Sequence, residues 1–232
     1  MWTAITFKSI SRPVLSMFKL AVTAADRLFP SSMFPKSFMI IIVGLDGAGT
    51  TSMLNRLHRR ELPMGVLPAT IPTIANNTET IPYGRHRVKI QELGGMDKIR
   101  PLWRSHYWNA HAFIFVLDAA APDRFPEAKE ELDRVYYDLG KDEYVEYPFL
   151  IVANKMDLPG AADLATIAKA LGINLETLGR GGRTVAMKGV SAMSGEGLDE
   201  VLQWFVDNVS HELIVQHIHY QRDNAAKPWF RL

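Results

Sequence analysis

The chain has 232 residues, 47% of them hydrophobic and 22% charged, with a formal net charge of +1. That size suits one α/β domain with extensions at its ends, and the balanced charge supplies no global field that would gather nucleic acid. The absence of cysteine excludes a disulfide framework and cysteine-ligated zinc. The longest apolar runs, such as residues 38–43, are too short to cross a bilayer as a helix.

Residues 1–36 stand apart. Lys8, Arg12, Lys19, Arg27 and Lys36 face a single acid, Asp26. Ser11 followed by Pro13 reads as a cap and a rigid first helical turn. Val14, Met17, Phe18, Ala21, Ala25 and Leu28 then share one helical face, until Pro30, Ser31, Ser32 and Pro35 break the pattern. The segment reads as a basic amphipathic helix on a linker. Such a helix can bury its apolar face in a membrane surface with its lysines at the headgroups. It also has the basic, acid-poor composition of an organelle presequence, and the same face could pack on a larger assembly.

A regular alternation follows. Residues 38–43 form an apolar run closed by Gly44, the pattern of a buried parallel strand. Residues 51–62 read as a helix, and 78–83 and 87–93 as two strands turning at Gly84. Residues 112–118 (AFIFVLD) read as a second buried strand, 127–139 as a helix, and 149–154 as a third buried strand. A short helix is expected at 164–171, a last strand at 185–190, and a helix from 198 to 209 that could continue toward 221. Strands alternating with helices imply an α/β fold, a mostly parallel six-stranded sheet covered on both faces. The expected organisation is an N-terminal helix and linker over 1–36, a domain over 37–210, and a C-terminal extension over 211–232. That extension ends in an aromatic tail bearing Trp229 and Phe230, which suit a partner surface.

The stretch Gly44-Leu45-Asp46-Gly47-Ala48-Gly49-Thr50-Thr51-Ser52 lies between a buried strand and a helix. In that setting, glycines let successive N–H groups form an anion nest, and the helix adds its positive N-terminus. The usual phosphate-loop pattern places a lysine before the Ser/Thr; here Thr50 stands there, while Thr51 keeps the hydroxyl expected to hold magnesium. Losing one charge-assisted contact, roughly 1.5–3 kcal/mol, should lower nucleotide affinity by about one to two orders of magnitude.

Four further elements follow in order, each at a strand end. Asn154-Lys155-Met156-Asp157 is similar to the N-K-x-D guanine motif, in which a carboxylate accepts the N1–H and 2-amino hydrogens that adenine lacks. Ser191-Ala192-Met193 resembles the S-A-x element whose backbone N–H meets guanine O6. Pro72-Thr73-Ile74 resembles switch I, and Leu93-Gly94-Gly95 the entry to switch II. With the blocks GLDGAG, LGGMDKIRPLW, IFVLDAA, ANKMDLP and SAMSGEGL, the chain resembles the ADP-ribosylation factor (Arf) and Arf-like small GTPases over about residues 38–210. The resemblance implies the small-GTPase fold, GTP or GDP as ligand, and Mg2+ held by Thr51 and Thr73. It implies nucleotide contacts from Gly44, Asp46, Gly47, Ala48, Gly49, Thr50, Thr51, Ser52, Thr73, Gly95, Asn154, Lys155, Asp157, Ser191, Ala192 and Met193.

The departures matter as much. Met96 stands where the family has a glutamine that orients the attacking water, Glu92 replaces an aspartate, and Ala75 a switch I glycine. Asn76, Gln91 and His106 fall on three aromatic positions that Arf proteins show to effectors, which makes the usual Arf effectors improbable partners. Trp2 lies where an N-myristoylation signal needs glycine.

No catalytic residue is therefore expected. The leading reading is a hydrolysis-deficient, Arf-like guanine-nucleotide-binding protein that binds protein partners at the cytoplasmic face of a membrane. A second reading is a structural accessory subunit of a large membrane complex, at the mitochondrial inner membrane or in the matrix. A third is a slow GTPase completed by a partner in trans. Trp103 and Trp108 are expected to pack, residues 141–146 to form a solvated loop, and His211, His217 and His219 not to form a metal site, because their spacing splits a helix face.

Overall fold

The computed structural model describes residues 35–59, 76–140, 147–175, 178, 184–210, 213–214 and 217. The expected N-terminal helix, Thr73 and the rest of switch I, the 141–146 loop and the aromatic tail lie outside the described residues.

Six strands form one sheet in the order β2-β3-β1-β4-β5-β6. They are β1 (Ser37–Gly44), β2 (Asn76–Tyr83), β3 (His86–Leu93), β4 (Ala112–Asp118), β5 (Phe149–Asn154) and β6 (Val185–Gly189). All pairings are parallel except the β2–β3 hairpin. The helices are α1 (Thr50–His58), α2 (Phe125–Leu139), α3 (Leu164–Leu171) and α4 (Leu198–Asn208). The central strands β1, β4 and β5 are buried almost throughout, as uninterrupted apolar runs covered on both faces must be. On α2, Ala128, Leu132, Val135 and Leu139 recur at helical spacing and are the buried stripe. β2 and β6 are the edges; β2 alternates exposed and half-buried residues and tolerates Pro82.

The elements predicted within the described residues are present, several of them with shifted ends. α1 stops at His58, where Arg59 leaves helical geometry. α2 begins at Phe125, with a proline in its first turn. The final helix does not run on from 209: Val209 is extended, and the Ser210 hydroxyl accepts the Leu213 N–H at 3.0 Å, starting a new turn. Leu213 and His217 pack into the domain's core rather than apart from it. Two elements were not foreseen, a 3-10 turn over Pro122–Arg124 and a longer 3-10 helix over Arg100–Asn109. The longer one buries Trp103, whose indole N–H donates to the Gly94 carbonyl at 2.8 Å, while Trp108 is half-buried.

This topology gathers the motifs. β1 is flanked by β3 on one side and β4 on the other, so the chain reverses direction across the sheet at its carboxyl end. A crevice opens at such a reversal. The register pairs Gly44 with Val116 and Asp118 with Asn154, so these strand ends sit side by side along one edge.

Candidate functional site

The glycine-rich loop leaves β1 at Gly44 and enters α1 at Thr50. Gly49 caps the helix in the left-handed region at φ 88°, and its carbonyl accepts the Met53 N–H at 2.9 Å. A side chain there is excluded twice over, because a Cβ would also lie 2.3 Å from Asn154 Nδ2. The close approach of Asn154 has a purpose. Its amide donates to the Ala48 carbonyl at 2.9 Å and accepts the Ala192 N–H at 3.0 Å. One buried side chain thus ties the phosphate loop to the guanine loop.

Lys155 follows with φ 66°, an uncommon conformation for a residue with a side chain. Its ammonium meets Asp118 Oδ2 at 2.6 Å, and its stem lies beside Gly49. Asp118 was not foreseen. The signal available was a lone acid ending the wholly apolar run AFIFVL. Together Gly49, Ser52, Asn154, Lys155, Asp157, Leu158, Ala192 and Met193 line a cavity of about 120 Å³. All but Leu158 are sequence-expected residues. Asp157, Leu158 and Met193 are exposed at the rim, while Asn154 and Ser191 are buried beneath it. The Ser191 hydroxyl accepts the Ser194 N–H at 3.0 Å, which closes the loop.

The phosphate end is altered as its sequence foretold, and the structure adds the reason it is tolerated. Thr50 is only 8% exposed and donates to Glu92 Oε1 at 2.7 Å. The Thr51 hydroxyl donates to the same oxygen. Glu92, wholly buried at the end of β3, therefore receives both hydroxyls. A hydroxyl and a carboxylate side by side are hard oxygen donors, the set that suits Mg2+. The residues present thus fit that ion through Thr51 and Glu92.

Switch II entry presses directly on the phosphate loop. The Asp46 N–H donates to the Gly95 carbonyl at 3.2 Å, and a Cβ on Gly95 would stand 2.5 Å from the Gly44 carbonyl. Arg100 holds this contact. Its guanidinium, 5% exposed, reaches the Gly95 carbonyl (2.8 Å), Asp97 (2.7 Å), Glu127 (2.7 Å) and Asp46 (3.1 Å). Arg124 adds Asp46 (2.9 Å) and Glu127 (2.9 Å). The hydrogen bond from Arg124, partly opposed by burial, holds the Asp46 carboxyl below its ordinary range. Sequence reading placed Asp46 at the site but missed both arginines, because their acids are scattered along the chain. Met96 is 39% exposed next to these groups and offers no useful hydrogen bond.

The three effector positions form no aromatic patch. Gln91 is buried, its amide 3.4 Å from His106 Nδ1, and Asn76 is exposed on β2. Burial holds the His106 imidazole below its ordinary pKa.

Comparison with known proteins agrees with this architecture. The sequence model of the ADP-ribosylation factor family matches residues 27–209. Among solved structures, the chain is similar to the Arl6 (BBS3) small GTPase of Trypanosoma brucei with the bound nucleotide analogue GppNp. The likeness has a TM-score of 0.61 and 26% identity, and covers 79% of this chain and 99% of that one. The match spans most of the chain and takes in the glycine-rich loop, switch II entry and guanine motif, and the chain belongs to the ADP-ribosylation factor family.

Proposed function

We propose that this protein binds guanine nucleotide in the crevice at the carboxyl ends of β1, β4 and β5, hydrolyses it poorly or not at all, and acts by binding protein partners at a membrane. The observation that carries this reading is the cavity beside Gly49, walled by Asn154, Asp157, Ala192 and Met193, above a phosphate loop whose Thr50 is buried against Glu92. Asp157 accepts the guanine N1–H and 2-amino hydrogens. Leu158 and Met193 supply apolar walls for the ring. The loop amides and the N-terminus of α1 take the phosphates without a lysine ammonium. Magnesium, when bound, neutralises phosphate charge; Thr51 and Glu92 are the described residues that would hold it, with Thr73 as a further candidate.

Weak hydrolysis follows from two side chains. Thr50 brings no positive charge to the transferring phosphoryl group, and Met96 cannot orient a water. Binding survives because base recognition and the amide nest remain, and occupancy at cellular nucleotide levels would still stabilise the fold. The polar Gln91–His106 pair argues for partners other than those that read an aromatic patch. Among the described residues no helix is long and apolar enough to cross a membrane, so membrane attachment is assigned to the basic amphipathic segment before residue 36.

The test is to purify the chain, denature it and chromatograph what is released. Stoichiometric GTP supports static binding. GDP together with slow turnover supports a slow enzyme completed in trans. An empty protein that co-purifies with other subunits supports the accessory-subunit reading.

A further inference from the structure

Arg56 lies in the second turn of α1, the helix whose first turn carries Thr50 and Thr51. It is 5% exposed, and its guanidinium is spent on the loop that follows β6. Its Nε donates to the Ala192 carbonyl at 3.3 Å and its Nη2 to the Met193 carbonyl. Its stem lies under Gly195, where a Cβ would sit 3.6 Å from Arg56 Cδ. A planar guanidinium fork thus grips two consecutive carbonyls of the guanine loop.

That grip has a directional consequence. A peptide is planar and trans, so its N–H points opposite to its C=O. Holding the Ala192 carbonyl fixes the N–H of Met193, and holding the Met193 carbonyl fixes the N–H of Ser194. The latter closes the loop onto Ser191 Oγ. From the other side, Asn154 Oδ1 fixes the Ala192 N–H. The loop is therefore clamped between α1 and the end of β5, with Ala192 and Met193 at the wall of the cavity.

We infer that Arg56 is a positioning residue for base selectivity: by holding the Ala192–Met193 peptide it aims the Met193 amide hydrogen at the 6-keto oxygen of a purine nucleotide. This rests on the guanine reading of the site. It makes α1 a bridge between the ligand's two ends, with phosphate contacts in its first turn and the base loop braced from its second. A carbonyl acceptor at the purine 6-position is accepted by this wall, and a 6-amino donor is opposed by it.

The test compares Arg56→Met and Arg56→Lys with the unmodified chain. The probes are GDP and the diphosphate of 2,6-diaminopurine riboside, which keeps the 2-amino group but carries an amine at position 6. Losing one well-aimed hydrogen bond is worth about tenfold in affinity. The ratio of the two dissociation constants should fall by about tenfold in Arg56→Met, and by less in Arg56→Lys, which keeps the charge but not the fork. A purely structural lesion would weaken both nucleotides alike and leave the ratio unchanged, and that result in both variants would overturn the inference. If Arg56→Met does not fold, Arg56→Lys alone decides.

Hydrogen exchange on the unliganded proteins separates this idea from the guanine reading. Amides of Ala192, Met193 and Ser194 should exchange faster in the variants than in the unmodified chain, relative to β5. Should the unmodified chain bind neither nucleotide, the guanine reading fails, and unchanged exchange in the loop would then remove the brace as well.

Discussion

Gly49→Ala is the substitution whose cost the structure determines most closely. Two effects add. The residue sits at φ 88°, where an L side chain costs roughly 1–2 kcal/mol. The new methyl would also lie 2.3 Å from Asn154 Nδ2, so the Asn154 amide must leave its bonds to Ala48 and Ala192. Each buried hydrogen bond is worth about 1 kcal/mol, so the total is about 3 kcal/mol of stability. Asn154→Ala alone removes the same two bonds and strands a buried carbonyl and N–H, for about 2–4 kcal/mol. In the Asn154→Ala background the clash is gone, and Gly49→Ala should then cost only the backbone part, about 1 kcal/mol. Urea unfolding of the four proteins measures the cycle, with an expected coupling of about 2 kcal/mol. Additivity within about 0.5 kcal/mol, the behaviour of independent sites, would refute the idea that Asn154 and Gly49 share one contact.

Thr50→Lys should strengthen GDP binding, measured by calorimetry, by about tenfold. This is the low end for a restored charge-assisted contact, because Glu92, 2.7 Å from the Thr50 hydroxyl, competes for the ammonium; no gain would mean the loop does not cradle phosphate. Arg100→Met should cost about 2 kcal/mol in chemical unfolding. Breaking a fully buried pair costs more, but its acid partners Asp46, Asp97 and Glu127 are 49%, 82% and 38% exposed, and solvent screens them. Stability should also depend on pH through His111 and His217, which pack with ring centres 4.4 Å apart. Burial depresses both imidazoles to about 4 from an ordinary 6.5, with the neighbouring His217 adding to the effect on His111. The unfolded chain then binds protons first, so this stability is full above about pH 6.5 and is lost as pH falls toward 4. Each unit is worth ~1.4 kcal/mol. Unfolding midpoints measured across that window should drop less for His217→Phe than for the unmodified chain.

Legibility in the sequence followed the range of the interactions. FMIIIV, AFIFVL and FLIVA are unbroken apolar runs, the pattern of strands buried on both faces, so the sheet's centre and the strand ends bearing Gly44 and Asn154 were visible at once. The 3-10 helix at Arg100–Asn109 was not, because it repeats every three residues, carries Pro101 at its start and is held by a tertiary bond from Trp103 to Gly94. The replacement of the lysine by Thr50 was legible, but its partner was not. Glu92 meets Thr50 across 42 residues, through the parallel register that sets Ile42 beside Glu92. Arg56 and Arg100 escaped for the same reason: nothing local marks a helical arginine as a brace for a distant loop.

The central claim is that the base-reading half of this pocket has outlived the hydrolytic half, and a titration with GDP and ADP in excess Mg2+ tests it most directly. The account predicts saturable one-to-one binding of GDP, at least tenfold weaker binding of ADP, and a clearly smaller difference in Asp157→Ala, where only the Ala192–Met193 wall still opposes the 6-amino group. Equal affinities for the two nucleotides, or an Asp157→Ala protein whose preference for GDP is undiminished, would contradict it.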